Sequence, residues 1–194
     1  MEPVVLSDPS VQEQARVFAT LVSAFRADPV ERWLYPDDDH YDEKFVLFLA
    51  AFSGPAFRRG TAWRLDDYAA VALWIPPHAQ PDGADITRVL SETVASVKHA
   101  DAFTALEQMD VAHPAYPHWY LPWFGVAATM QSQGLGSRLM TACLAAVDDT
   151  GLPAYLETPN PRTISFYSRH GFEITGVTDA GSCPPITFML RTAR

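Results

Sequence analysis

The chain has 194 residues, 48% hydrophobic and 19% charged, enough apolar side chain to bury a sizeable core in one domain spanning 1–194. Fourteen Lys and Arg against 23 Asp and Glu leave a formal net charge of −9, which argues against nucleic acid and an anionic membrane as main partners, because both select basic patches. Two cysteines, Cys143 and Cys183, supply no disulfide framework; no apolar run approaches the ~18 residues of a membrane helix, and no export segment opens the chain, so we expect a cytoplasmic protein.

Val4-Val5-Leu6 reads as a short strand. Ser10 and Glu13 have the form of a capping box, and Val11, Ala15, Phe18, Val22 and Phe25 mark one face of a helix that ends before Asp28-Pro29. A second helix is expected from about Tyr41 to Phe52, interrupted or ended by Gly54-Pro55. Thr61–Leu65 and Tyr68–Ile75 form a hairpin around Asp66-Asp67, and Pro76-Pro77 stops it. Helical spacing runs from Asp85 to about Asp110. A Pro-, His- and Tyr-rich segment (113–118) then leads into a strand from Trp119.

That strand ends Phe124-Gly125-Val126 and gives way to Gln131-Ser132-Gln133-Gly134-Leu135-Gly136-Ser137 and an amphipathic helix with Leu135, Leu139, Cys143, Ala146 and Val147 on one stripe. A helix opening on glycines offers bare backbone N–H groups at the positive end of its dipole, suited to a phosphate-like anion. Taken alone, the loop reads equally as a tight turn without a ligand. A P-loop is excluded because Ser137-Arg138 stands where it needs Lys and Ser/Thr, and a dinucleotide fingerprint because Leu139 stands where it needs a small residue. Downstream, Ala154–Glu157 is a strand, Asn160-Pro161 starts a helix carrying Tyr167, and His170-Gly171 ends it; strands at 172–174 and 186–190 follow.

Gln131-x-x-Gly134-x-Gly136, joined to Leu156-Glu157-x-x-Asn160 and Tyr167-x-x-x-Gly171-Phe172, resembles the GNAT family of acetyl-CoA-dependent N-acetyltransferases. Trp119-Tyr120-Leu121, Leu156-Glu157-Thr158 and Pro161-Arg162 look most like its puromycin N-acetyltransferase branch. The resemblance implies a mixed α/β (α+β) fold, with a mainly antiparallel central sheet splayed around the cofactor and flanked by helices. It implies acetyl-CoA as cofactor and CoA as product. Backbone N–H groups of Gln131, Ser132, Gln133, Gly134, Leu135, Gly136 and Ser137 would hold the CoA pyrophosphate. Phe124, Gly125 and Val126 would pair with the pantetheine arm, with an N–H near Val126 polarising the acetyl carbonyl. Asn160 would bond the cofactor arm, and Tyr167 would protonate the departing sulfur.

A base is harder to read. The motif strand carries no carboxylate over 120–124, so His113 and His118 are the candidates, with Glu107 and Asp110 behind them. Each of these residues also has an ordinary structural reading: Asn160 as a helix cap, Tyr167 as core, the histidines as surface groups. Trp33, Tyr35, Phe45, Phe48, Trp74 and Trp123 are candidates for an acceptor cleft or simply for the core. The expected activity is transfer of acetyl to a small-molecule amine. Acetylation of a protein N-terminus or lysine, or a non-catalytic acyl-CoA-binding module, are the alternatives, and pairing of two chains through their last strands is left open.

Overall fold

The structure, a computed structural model, describes residues 2–194. After β1 (Val4–Leu6), Ser10 caps α1 (Val11–Phe25) through the reciprocal bonds with Glu13 that the spacing implied. Asp28 and Asp37 cap α2 (Pro29–Leu34) and α3 (Asp38–Arg58). The chain continues through β2 (Ala62–Leu65), β3 (Ala70–Ile75), α4 (Gly83–Thr93), α5 (His99–Ala112), β4 (Trp119–Val126), α6 (Leu135–Asp148), β5 (Ala154–Thr158), α7 (Pro161–Arg169), β6 (Glu173–Val177) and β7 (Thr187–Arg191).

Two expectations change. Gly54-Pro55 does not stop α3, which runs three residues beyond, to Arg58. Phe45, Phe48, Leu49, Phe52, Ala56 and Phe57 are all buried, so packing along the whole face outweighs the one backbone bond proline removes. The segment 85–110 is two helices. Thr93 turns its hydroxyl back to the Val89 carbonyl, Val94 is extended, and His99 Nε2 meets the Val94 carbonyl at 2.9 Å as the second helix starts.

The seven strands form one sheet in the order β1-β2-β3-β4-β5-β7-β6, with β4 and β5 the parallel pair and all other neighbours antiparallel. β3 is buried on both faces: Val71, Leu73 and Ile75 join the core under α1, α3, α4 and α5, while Ala70, Ala72 and Trp74 join the core under α6. Among the described residues no helix is long and apolar enough to cross a membrane.

Helix α1 lies directly on β4 at Gly125. A Cβ there would stand 2.9 Å from the Ala24 Cβ and 3.1 Å from Leu21 Cδ2. Gly125→Ala is therefore expected to cost about 1–3 kcal/mol, read as a lower urea midpoint at unchanged slope.

Candidate active site

The site begins where two strands part. β4 and β5 pair only through Trp119–Leu121 and Ala154–Leu156. Beyond that, Phe124, Gly125 and Val126 stay paired to Ala72, Val71 and Ala70 of β3, and β5 stays paired to β7 out to Thr158. Strand twist and the divergent partners open a notch whose β4 edge has no strand neighbour. A cleft of about 1050 Å³ fills this notch, lined by Phe124, Gly125, Val126 and Glu157 and by parts of α1, α2, α5 and α7.

One end of the cleft is the start of α6. Ser132 (φ 61°) and Gly134 (φ 80°) are both left-handed, which turns the chain sharply enough to aim the first-turn N–H groups at the notch. Gly134 is the N-cap, and among the described residues no side chain caps the first turn, which leaves its donors to the cleft. A Cβ at Gly136 would stand in contact with Val126 and Phe166, 3.4 Å from each. Gln131, Ser132, Gly134, Leu135, Gly136 and Ser137 all line the cleft; Gln133 does not, being exposed on the outside of the turn. Gln131 also latches the loop, its Nε2 donating to the Val126 carbonyl at 3.1 Å. Bare donors on a helix dipole suit the pyrophosphate of CoA.

Asn160 and Tyr167 face the same space. Asn160 Oδ1 accepts from the Arg162 N–H at 3.1 Å, so it caps α7 and borders the cleft at once. Tyr167 packs edge-on against Phe166 and Phe172, with ring centroids 5.2 and 6.0 Å away. Burial, reinforced by the nearby Asp28 carboxylate, raises its pKa and holds the phenol protonated.

His113 and His118 come together, but not as lining of the cleft. Nδ1 of His113 lies 3.0 Å from Nε2 of His118, and His118 Nδ1–H donates to the Tyr116 carbonyl at 2.8 Å. On its other side, His113 Nε2 stands 3.3 Å from Glu157 Oε1. Glu157 lines the cleft. Along β5 it follows Leu156 back to the face of Tyr155, beneath the C-terminal end of α5 where His113 is the cap residue. Burial, helped by His113, lowers the pKa of His118, which favours its neutral form.

Asp28, the cap of α2, and Glu31 in its first turn also line the cleft, although the spacing marks Asp28-Pro29 only as the end of α1. Both are 4% exposed. Asp28 Oδ1 accepts from the N–H groups of Val30 and Glu31 at 3.0 and 3.3 Å. Desolvation nevertheless lifts its pKa to about 6, and lifts that of Glu31 well above the usual range with Asp28 adding to it. The folded chain then holds a proton on Asp28 that the unfolded chain releases near 3.8, so this contribution to stability is present at low pH and is lost as pH rises through 6. Asp28→Asn keeps the capping oxygen and removes the charge. It is expected to raise the unfolding free energy by up to about 3 kcal/mol at pH 8 and by little at pH 4, by urea titration at the two pH values.

Among the described residues, Glu31 Oε2, Trp123 Nε1 and Glu157 Oε1 are buried polar side-chain atoms of the cleft without a hydrogen-bond partner. Trp123 stands between Phe25, Phe45, Phe48 and Phe52, whose centroids lie 5.4–6.0 Å from its own. Of the aromatic candidates, Trp33, Phe48 and Trp123 border the cleft, while Tyr35, Phe45 and Trp74 are core. Glu107 and Asp110 are exposed on α5 away from it. Cys143 is packed under α6 with its thiol pKa pushed up to about 12 by burial, which removes it as a nucleophile.

A parted parallel strand pair, a glycine-opened helix at its mouth and a tyrosine in the cleft define an acyltransferase. The chain belongs to the acetyltransferase (GNAT) family, whose model matches residues 24–172. It is 24% identical over 181 residues to an uncharacterised N-acetyltransferase of Schizosaccharomyces pombe, covering 83% of this chain and 71% of that one. Its fold is shared by a structure from Corynebacterium glutamicum described as histone acetyltransferase HPA2 and related acetyltransferase (TM-score 0.68, 23% identity, 100% and 98% of the two chains). The same fold occurs in a Drosophila melanogaster polyamine N-acetyltransferase that forms N-acetylagmatine (TM-score 0.64, 15% identity, 98% and 100%).

Proposed function

We propose that this chain moves an acetyl group from acetyl-CoA to a small-molecule amine by direct attack. The observation that carries the reading is the single cleft joining the bare N–H donors of α6 to Tyr167 and Glu157. When bound, acetyl-CoA supplies an activated thioester: the amine nitrogen bonds the acetyl carbon, the C–S bond breaks, and CoA leaves as the thiol.

The chain does the rest. N–H groups from Gln131 to Ser137 hold the pyrophosphate, and Asn160 with the open edge of Phe124–Val126 holds the pantetheine arm. An N–H near Val126 polarises the acetyl carbonyl, an effect typically worth about 3 kcal/mol. Tyr167 donates its phenolic proton to the sulfur. The desolvation that raises the phenol pKa raises the proton affinity of a buried thiolate as well, so the pair stays matched.

The base is Glu157, backed by His113 and His118. With His118 neutral, its Nδ1–H is committed to the Tyr116 carbonyl, so its Nε2 accepts from His113 Nδ1–H. The remaining lone pair of His113 then faces Glu157 Oε1 with a vacant proton position between them. A proton taken from the amine by Glu157 passes to His113 Nε2, displaces the Nδ1 proton onto His118, and leaves from His118, which is only half-buried.

The aromatic walls of the cleft suit a small molecule, and the polyamine N-acetyltransferase of the same fold supports that choice. The branch-like residues Trp119–Leu121 and Leu156–Thr158 add puromycin-like amines to the acceptors to be tried. Thiol release from acetyl-CoA, measured across a panel of alkyl, arylalkyl and aminonucleoside amines, tests the reading. Amine-dependent release with an acetamide product is expected. Binding of acetyl-CoA with no release from any amine would instead support a binding module.

A further inference from the structure

Asp28 and Glu31 present a charge problem that the proposed chemistry leaves unsolved. Two carboxylates, each 4% exposed, stand side by side in the cleft, and Glu31 Oε2 has no hydrogen-bond partner. Arginines elsewhere pair with Asp38, Asp42, Asp67, Asp85 and Asp148. None reaches this pair among the described residues. Even Arg32, next in sequence, turns away to Asp38 and the Pro36 carbonyl. A buried carboxyl ionises when a cation neutralises it, and both of these line the cleft.

The walls suit the same kind of occupant. Trp33, Phe48, Phe52 and Trp123 border the cleft beside α2, giving an apolar channel for methylenes, while the Trp33 ring already carries the Lys98 ammonium 5.5 Å from its centroid. Tyr167 and Cys183 line the same cleft as this pair.

We infer that Asp28 and Glu31 seat a second cationic group of the acceptor, so that the preferred acceptor is a compact diamine, acetylated at one nitrogen and held by the other. This rests on the reading of the cleft as the acceptor site of an amine acetyltransferase. A fixed ammonium between the carboxylates would also orient the free end toward the acetyl carbon, which a monoamine cannot match.

The test compares α,ω-diaminoalkanes from propane to hexane with the alkylamines of the same lengths. Binding to the CoA-loaded protein is followed by calorimetry, and thiol release is measured in parallel. At least one diamine is expected to bind about tenfold or more tightly than its matched alkylamine. Glu31→Gln, which keeps shape and removes charge, is expected to collapse that difference and to raise the diamine KM more than it lowers kcat. Equal affinities in the two series would overturn the seat, as would a diamine preference that survives both Glu31→Gln and Asp28→Asn. The two readouts separate the failures. Acetylation of monoamines with no diamine preference removes the seat and leaves the acetyltransferase. Diamine binding that depends on Glu31, with no thiol released from any amine, keeps the seat and removes the transferase.

Discussion

Tyr167→Phe is expected to lower kcat about a hundredfold while KM for acetyl-CoA changes little. The substitution removes one hydroxyl. The ring keeps its edge contacts with Phe166 and Phe172, and the core under α6 and α7 keeps its volume. The loss therefore falls on the step in which sulfur departs. Steady-state thiol release reads both constants, and a thioester with a more acidic leaving thiol should recover part of the rate, because it needs the proton less. An unchanged kcat would remove Tyr167 from the mechanism.

Glu157→Gln is expected to reduce kcat by about two orders of magnitude at pH 7. Glu157 is the link between the cleft and the His113–His118 pair, and its side chain is 4% exposed, so no other group stands in for it. Glutamine fills the same space beside Tyr155, which leaves packing intact. The pH dependence carries the diagnostic sign. An alkylamine of pKa ~10 gains about tenfold in its free-base fraction per pH unit below that value, so the defect should shrink steadily as pH rises. His118→Ala breaks the chain at its solvent end and should show the same trend with a smaller loss. A defect in Glu157→Gln that stays constant from pH 7 to 9.5 would assign the carboxylate to binding.

These residues differ in how far sequence alone exposes them. The cradle is legible because its constraint is local: a left-handed turn demands Gly134, and the helix after it shows its apolar stripe. Asn160-Pro161 and Gly171 mark α7 for equally local reasons, and the capping box at Ser10 sets the start of α1. The Asp66-Asp67 hairpin holds too, with Asp66 and Tyr68 at positive φ in its turn. Helix ends governed by tertiary packing are not legible in this way. Pro55 sits inside α3 because Phe52, Ala56 and Phe57 are buried on either side of it, which no window of sequence shows.

The acid–base groups divide along the same line. His113 and His118 are visible as side chains able to titrate near neutral pH. Glu157, which connects them to the cleft, is visible only once β5 is known to part from β4 and to share a face with the end of α5. Asp28 and Glu31 are hidden for a related reason. Three residues apart on either side of Pro29, at the cap and first turn of a short helix, they look like an ordinary N-terminal turn, and their place in the cleft wall appears only in the folded chain. Charge neutralisation across a cleft is a property of the assembled walls, and no segment of the chain carries it.

The most direct measurement is the distance from the CoA sulfur to the Tyr167 hydroxyl in a crystal structure of the complex. The pyrophosphate is expected on the N–H groups of Gly134–Ser137 and the sulfur within about 3.5–4 Å of Tyr167 Oη, with Glu157 across the cleft from it. A CoA whose pyrophosphate lies elsewhere, or whose sulfur stands more than about 6 Å from that hydroxyl with the cradle occupied, would contradict it.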